Sequence, residues 1–311
     1  MDPAAVCVAC NLCGGDDPEA VYEGLPVVSC RRCGLIYVTP QPSAEALSRL
    51  YSEDYFTKPV SEGEPAYIEN QAGLELFFDG RLRRLERLVR PGRLLEIGAG
   101  LGYLVRVAAR RGWEAIGLEV SEFAANYARH TLGADVRAQR LEEAGFGEAC
   151  FDAVVMRDVL EHVRDPRAVL AEARRVLRPG GVLSLSVPSF ACVARRLAGP
   201  AWRHLRPEQH LFQFTPETLR RLLSETGFEL REAESRYDSP STRQAYAGPT
   251  SAAARRRLAW YAALRGDIVF LPLGTHSRRV LRAAAILLSV LAFPFRSRLA
   301  DDILEVLAAR G

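Results

Sequence analysis

Apolar and polar positions follow two different periods along the middle of the chain. From Pro91 onward, short apolar runs rich in Leu, Ile and Val alternate with longer stretches in which apolar residues recur every three or four positions. The first pattern is typical of buried strands and the second of amphipathic helices. The predicted strands are 93–97, 114–119, 134–138, 151–156 and 182–187. Repeated strand–helix units predict a parallel sheet covered by helices on both faces, which is a doubly wound α/β fold.

Capping and breaking residues mark the helix boundaries of this region. Ser121 is placed to cap the helix that follows the second predicted strand, and Thr215 with Pro216 begins a later helix. Further helices are predicted over 103–111, where Gly112 follows, and over 166–177, just before a Pro-Gly-Gly sequence. These signals place the helices between the strands, as the fold requires.

Changes of pattern divide the chain into five predicted segments. The first is rich in Cys, Gly and Pro, the second reads mainly as helix, and the fourth interrupts the strand–helix rhythm with two apolar helical stretches. A sixth strand is predicted over 228–236 and a last one over 301–308. The segments are 1–40, a cysteine-bearing module; 41–90, a helical bridge; 91–239, the α/β core; 240–298, a helical insertion; and 299–311, the last strand of the core.

Composition adds few constraints. The 311 residues are 48% apolar and 25% charged, as in an ordinary globular protein, and the net charge of +3 does not call for a polyanionic partner. The start of the chain lacks the pattern of a secretion signal, so a cytoplasmic protein is expected. The longest apolar run, 283–295, falls short of the roughly 17–25 residues that span a bilayer. Because arginines flank it, segment 280–296 predicts either a peripheral membrane contact or a buried packing helix.

A glycine-rich turn follows the first predicted strand and carries the clearest chemistry. Its sequence is Glu96-Ile-Gly98-Ala-Gly100-Leu-Gly102, and Glu119 ends the next strand. Glycines let the backbone pass close to a ligand, and an acidic residue after the second strand can accept the hydroxyls of a ribose. The spacing departs from the dinucleotide pattern, and a carboxylate at Glu96 disfavours a phosphate. A ligand with a cationic end is therefore favoured over NAD, and S-adenosylmethionine is such a ligand.

Residues 91–237 resemble the class I S-adenosylmethionine-dependent methyltransferases. The resemblance rests on the glycine turn, on Glu119, and on the segments Phe151–Val163 and Val176–Leu183. The resemblance implies a seven-stranded Rossmann-like sheet with an antiparallel last strand. It also implies that Glu96, Gly98, Gly100 and Gly102 flank the methionine end of the cofactor and that Glu119 holds the ribose. Many relatives carry an Asp for the adenine, but this chain has Arg140 near that position. Backbone groups near Leu141 are therefore expected to hold the adenine.

Three residues near the ends of the fourth and fifth predicted strands are candidates for ligand contact or catalysis. Asp158 either contacts cofactor or substrate or caps the short turn that follows it. His162 is either a general base or a packing residue, and His210 lies on the loop after the fifth strand, where related methyltransferases carry a similar His-x-x-x-Phe segment. Only acceptors that lose a proton, such as hydroxyls, require a base.

The N-terminal cysteines form two Cys-x-x-Cys-Gly units, Cys10 to Cys13 and Cys30 to Cys33. Four thiolates at this spacing suit a tetrahedral structural Zn²⁺ and predict a zinc ribbon. Cys7 and Cys10 form a third Cys-x-x-Cys pair, which could replace the pair Cys10 and Cys13. Only the pair Cys10 and Cys13 is followed by a glycine, so it is favoured. A redox or free-thiol cluster is the alternative.

The sequence therefore predicts a methyltransferase that uses S-adenosylmethionine and structural zinc. The combination of a zinc ribbon with this core also resembles a bacterial subgroup of methyltransferases. Its members often methylate sugars or other secondary-metabolite and envelope precursors. O-methylation of such a small or medium acceptor is the first hypothesis. An RNA methyltransferase that grips RNA with its ribbon is the second, although acidic residues in the ribbon argue against a nucleic-acid partner. A non-catalytic scaffold is the third.

Overall fold

The computed structural model describes residues 4–59, 66–236 and 303–311, and these form a seven-stranded and a four-stranded sheet with helices. The strands are β1 Pro18–Ala20, β2 Val27–Cys30, β3 Ile36–Val38, β4 Arg93–Ile97, β5 Glu114–Glu119, β6 Val136–Ala138, β7 Phe151–Arg157, β8 Leu177–Pro188, β9 Phe212–Gln213, β10 Phe228–Arg236 and β11 Ile303–Arg310. The α-helices are α1 Ala44–Leu50, α2 Glu53–Thr57, α3 Gln71–Leu85, α4 Tyr103–Arg110, α5 Glu122–Leu132, α6 Pro166–Val176, α7 Val193–Ala198 and α8 Pro216–Glu225. Short 3₁₀ turns cover Tyr67–Asn70, Leu141–Glu143 and Gly199–Ala201.

The large sheet has the strand order β10-β11-β8-β7-β4-β5-β6. Strands β4 to β8 pair in parallel, whereas β11 is antiparallel to both β8 and β10. The predicted doubly wound seven-stranded fold, with an antiparallel last strand, is therefore confirmed. The chain order reverses between β4 and β7, and open α/β sheets bind their ligands at the carboxyl ends of the strands at such a reversal.

Alternation along the strands creates a separate apolar core on each face of this sheet. Leu94 and Leu95 are both fully buried, but Leu94 packs with α3 and α4 whereas Leu95 packs with α6 and α8. Successive side chains of a strand point to opposite faces, so a continuous apolar run indicates a strand buried on both sides. Ser121 and Thr215 cap α5 and α8 as expected, each accepting a hydrogen bond from a backbone N–H of the first turn.

The boundary between α6 and β8 differs from the prediction. The helix ends at Val176, and Leu177 is already the first residue of a strand that includes the Pro-Gly-Gly sequence. A register shift between Phe151 and Ala153 on β7 accommodates this additional strand segment. Helix α7 was not predicted, because its six residues are too few to show a clear helical period.

The small sheet joins the cysteine module to the core. Its strand order is β1-β2-β3-β9, so three strands come from the N-terminal module and the fourth, Phe212–Gln213, comes from the segment after β8. Such pairing between distant segments leaves no periodic signal in either one, and the sequence did not predict it.

None of the described helices is long and apolar enough to cross a membrane. The predicted insertion 240–298, with its proposed membrane-contacting segment 280–296, lies outside the described residues.

Candidate functional site

The glycine turn after β4 closes directly onto the end of β5. The backbone N–H of Gly100 donates to Glu119 Oε2 at 2.8 Å, and the N–H of Ser121 donates to Glu119 Oε1 at 2.9 Å. Both carboxylate oxygens keep lone pairs that can accept further hydrogen bonds, because each ionised oxygen offers about two acceptor sites. The carboxylate is only 6% exposed, and this burial raises its pKa in spite of the opposing backbone hydrogen bonds.

The three glycines of the turn have distinct roles. All have positive φ, a Cβ on Gly98 would clash with Val159 Cγ2, and one on Gly102 would lie 2.7 Å from Ala128 Cβ. Those two glycines therefore permit close packing against the turn after β7 and against α5. A Cβ on Gly100 would make only ordinary contacts with the Tyr67 side chain, the nearest at 3.5 Å to its hydroxyl, so Gly100 forms the more open side of the turn.

Glu96 is a buried carboxylate beneath this turn. It is 3% exposed, and among the described residues its Oε2 has no hydrogen-bond partner. Burial raises the pKa of Glu96 well above its ordinary value, the positive charge of Arg157 opposes this, and the charge of Glu119 adds to it. A buried acceptor atom without a donor is costly, so the site fits a ligand that brings a cationic or N–H donor group.

Leu141 was predicted to lie where the backbone would hold the adenine. Leu141 is buried and begins a 3₁₀ turn just after β6, at the same sheet edge as Glu119. The Arg140 side chain is exposed. The backbone around Leu141 can therefore hold an adenine, and the Arg140 guanidinium does not need to enter the site.

Asp158 follows β7 at the strand reversal. Its φ is +53°, its N–H donates to the Ser186 carbonyl at 3.0 Å, and its carboxylate accepts from Ser186 Oγ at 3.1 Å. Left-handed backbone is uncommon for a residue other than glycine and concentrates at functional sites. The exposed carboxylate lies next to the glycine turn, because the neighbouring Val159 packs on Gly98.

The two predicted histidines lie against each other. Their rings are 4.6 Å apart in an edge-to-face arrangement. His162 Nδ1 lies 3.0 Å from the carbonyl of Gln209, and His210 Nδ1 lies 2.7 Å from the carbonyl of His204. A carbonyl can only accept, so Nδ1 carries the proton in both neutral rings and Nε2 is the basic nitrogen. Burial lowers the pKa of His162 to about 4 and that of His210 well below its ordinary value.

Glu161 joins the histidine pair and was missed by the sequence analysis. It is 1% exposed, and its Oε1 lies 3.8 Å from His162 Nε2. The ligand atoms of Glu161, His162 and His210 lie within 4.8 Å of one another, so the group can stabilise a proton on a histidine or hold a divalent cation. An acidic residue beside a histidine, in the turn that follows a strand, was the available signal. Tyr51 from the helical bridge packs edge-to-face on His162, with ring centroids 6.0 Å apart.

The four predicted cysteines form a second cluster in the small sheet. Their Sγ atoms all lie within 4.8 Å of one another; Cys10 and Cys33 are 3.4 Å apart, and Cys13 and Cys30 are 3.5 Å apart. Tetrahedral Zn²⁺ with bonds of about 2.3 Å would hold sulfurs about 3.8 Å apart, so the spacing fits the ion. Cys7 is exposed and lies outside the cluster.

Each cysteine pair ends in the same turn. Gly14 and Gly34 have φ values of +69° and +73°, and each donates its N–H to the carbonyl of the first cysteine of its pair at 2.8 Å. Glycine adopts this left-handed backbone without steric cost, which is why one trails each pair.

Comparisons with known proteins identify the family of this chain. A model of the methyltransferase-domain family matches residues 67–233, which is more than half of the chain. A ubiquinone biosynthesis O-methyltransferase from Hahella chejuensis is 40% identical over 133 residues, which cover 40% of this chain and 53% of the relative. One from Sinorhizobium medicae is 30% identical over 205 residues, covering 60% of this chain and 80% of the relative. The chain thus spans about half of the first relative and four fifths of the second.

Solved structures show the same fold. A methyltransferase in complex with the Haloferax volcanii Trm112 methyltransferase activator is 16% identical, has a TM-score of 0.52, and covers 78% of this chain and 92% of its own. At this identity the similarity concerns the fold alone. The family match, together with the glycine turn and its two carboxylates, shows that the chain belongs to the methyltransferase-domain family and is an S-adenosylmethionine-dependent methyltransferase.

Proposed function

We propose that this methyltransferase acts on a hydroxyl oxygen of a small organic acceptor. The observation that carries the proposal is the contact between His162, which is half-buried, and His210, which is buried. Their Nε2 atoms are the ones that can accept a proton, because their Nδ1 atoms face backbone carbonyls. The pair follows β7 and β8 on the same sheet edge as the glycine turn. A hydroxyl must lose its proton when its oxygen attacks a methyl group, and a positioned histidine is the side chain that most often takes such a proton.

The cofactor residues divide between the two ends of the ligand. When bound, S-adenosylmethionine supplies an electrophilic methyl group on a positively charged sulfur. Glu96 would accept from the ammonium group of its methionine end, and Glu119 from the ribose hydroxyls. Backbone groups near Leu141 would hold the adenine. Asp158, beside the turn, would face the cationic end of the ligand, where its negative charge is favourable.

Proton transfer falls to the histidine pair. Nε2 of one histidine would accept the proton of the acceptor hydroxyl, while the hydroxyl oxygen takes the methyl group that the cofactor supplies as it becomes a neutral thioether. Protonation of His162 would create an ion pair with Glu161 Oε1, which lies 3.8 Å from Nε2. That ion pair would offset part of the cost of burial, which disfavours a charged imidazole.

The acceptor is proposed to be a small molecule rather than RNA. In the ribbon, Arg31 lies 3.7 Å from Asp17 and 3.3 Å from Glu19, so acidic groups neutralise one of its two arginines. Relatives named ubiquinone biosynthesis O-methyltransferase favour O-methylation of a small molecule, and their name is not specific to a sugar. The sugar acceptor stays a prediction.

Zinc in the cysteine cluster is the second part of the proposal. The geometry of the four Sγ atoms fits one tetrahedral ion, which would act structurally because all four positions are taken by protein thiolates. The cluster packs within the larger apolar core, since Cys10 and Cys30 are buried next to Tyr37 and Phe212.

A kinetic experiment tests the base. His162→Gln and His210→Gln are compared with wild type using catechol-type phenols and sugars as acceptors, with products identified by mass spectrometry. We expect at least one variant to lower kcat about 10²- to 10⁴-fold while the affinity for S-adenosylhomocysteine stays within about twofold. The matched control is His130→Gln, an exposed histidine at the end of α5. Near-normal kcat in both site variants would exclude a histidine base.

A further inference from the structure

The acceptor-side loop forms the fourth strand of the ribbon sheet. Tyr37 pairs with Phe212 and Ile36 with Gln213 in antiparallel register. The Val38 N–H donates to the Leu211 carbonyl at 2.9 Å. Cys33 lies only three residues before β3, and His210 only two residues before β9.

The same loop fixes the segment that carries Glu161 and His162. The N–H groups of Leu211 and Phe212 both donate to the Glu161 carbonyl, at 2.7 and 3.1 Å, and the Gln209 carbonyl faces His162 Nδ1. The position of β9 therefore sets the orientation of His162 and its distance from His210.

A second contact from the ribbon holds the other end of that segment. Asn11 lies between Cys10 and Cys13, and its Nδ2 donates to Asp165 Oδ1 at 3.0 Å. Arg167, in the first turn of α6, donates to the Leu12 carbonyl at 2.7 Å. Contacts that originate in the two cysteine pairs thus flank Glu161 and His162 on both sides.

The cofactor side is held differently. The hydrogen bonds of the Glu119 carboxylate go to Gly100 and Ser121, which belong to the turns before α4 and α5. The packing of Gly98 and Gly102 likewise involves Val159 and Ala128 of the core. Cofactor binding therefore depends mainly on the turns before α4 and α5, although the turn after β7 that carries Asp158 and Val159 continues directly into Glu161 and His162.

We propose that the metal-loaded cysteine cluster positions the acceptor-side histidines through β3 and the Asn11 contact. The proposal rests on the proposed zinc site and on the proposed role of His162 and His210. Zinc binding would fix the two cysteine turns, and with them the positions of β3 and Asn11. Strand β3 would then hold the loop 209–213, and Asn11 would hold the segment 161–167. Loss of this coupling would impair acceptor turnover while leaving cofactor affinity intact.

A proline substitution isolates the link without touching a cysteine. Val38→Pro removes the N–H that donates to Leu211, and Val38→Ala is the matched control that keeps it. For Val38→Pro we expect zinc content equal to wild type, and at least tenfold faster hydrogen exchange at Leu211 and Phe212. Acceptor kcat/KM should fall about tenfold, with S-adenosylhomocysteine affinity within about twofold of wild type. Val38→Ala should resemble wild type in exchange and turnover.

Asn11→Ala gives an independent test if Val38→Pro does not fold. It should retain zinc and speed exchange in the segment around His162, with Asp16→Ala, an exposed ribbon position, as the control. Wild-type exchange and wild-type turnover in a folded, zinc-loaded variant would overturn the positioning role. Absence of zinc from the wild-type protein would instead overturn the zinc site, and wild-type kcat in both histidine-to-glutamine variants would overturn the base.

Discussion

Glu119 is the residue on which cofactor affinity should depend most clearly. Glu119→Gln replaces one acceptor oxygen by a donor and removes the charge, and hydrogen bonds to charged groups contribute about 1.5–3 kcal/mol. We expect affinity for S-adenosylmethionine to fall about tenfold to a hundredfold by calorimetry. Glu122→Gln, an exposed acid on α5, should bind as wild type does. Unchanged affinity in Glu119→Gln would refute the ribose assignment.

The histidines with lowered pKa values should make folding stability sensitive to acid. His162, His204 and His210 all have pKa values lowered by burial, so the folded state stays neutral while the unfolded state takes up protons below about pH 6.5. Stability is therefore complete above that pH and is lost as pH falls toward the folded pKa of about 4 for His162. For this group alone the loss is about 2 kcal/mol by pH 5.

Urea unfolding at pH 7 and pH 5 measures this effect. His162→Gln should lose less stability than wild type between the two pH values, because it no longer contributes a titrating imidazole. An equal pH dependence in the variant would show that His162 does not carry the lowered pKa. His130→Gln on the surface is the control.

Among the elements, β11 has a role that reaches beyond its pairing with β8 and β10. Glu305 is 4% exposed on this strand and lies 2.8 Å from Arg81, 3.3 Å from Arg84 and 3.2 Å from Arg157. The first two arginines belong to α3 and the third ends β7. This last strand thus fastens the helical bridge to the core.

Removing that charge should be costly. Glu305→Gln leaves buried guanidinium groups with less compensation, and breaking a buried pair costs about 3–5 kcal/mol. We expect a loss of about 3 kcal/mol in the free energy of unfolding, measured with denaturant. Glu225→Gln, whose partners Arg167 and Arg221 are about a third to a half exposed, should cost less than about 1 kcal/mol. Equal losses of stability in Glu305→Gln and Glu225→Gln would show that Glu305 and its arginines do not behave as a buried ion-pair cluster.

For the molecule as a whole, zinc should determine the stability of more than the ribbon. We expect about one zinc per chain by metal analysis, and a clear fall in Tm after chelation, because a structural zinc site contributes its binding energy to folding. Cys30→Ser should lose the metal, and Cys7→Ser should keep it, since Cys7 lies outside the cluster. Equal metal content in the two variants would contradict the ligand assignment.

Local signals explain how much of the fold and site could be predicted. The double-sided burial of Leu94 and Leu95 follows from a continuous apolar run, and the caps of α5 and α8 follow from Ser121 and Thr215. The end of α6 was misplaced by one residue, because a Pro-Gly-Gly sequence reads as a helix stop although the strand passes through it. Glu161 was missed because a single acidic residue beside a histidine has no distinctive period or spacing.

The sequence by itself determined the fold family, the glycine turn, its carboxylates and the paired cysteines, because each depends on residues close together in the chain. Only the tertiary structure decided what surrounds them. The pairing of β3 with β9, the contact of His162 with His210 and the arginine cluster on Glu305 join segments far apart in sequence. Such contacts form when long loops close and buried groups find partners, and no local pattern records which partner is chosen.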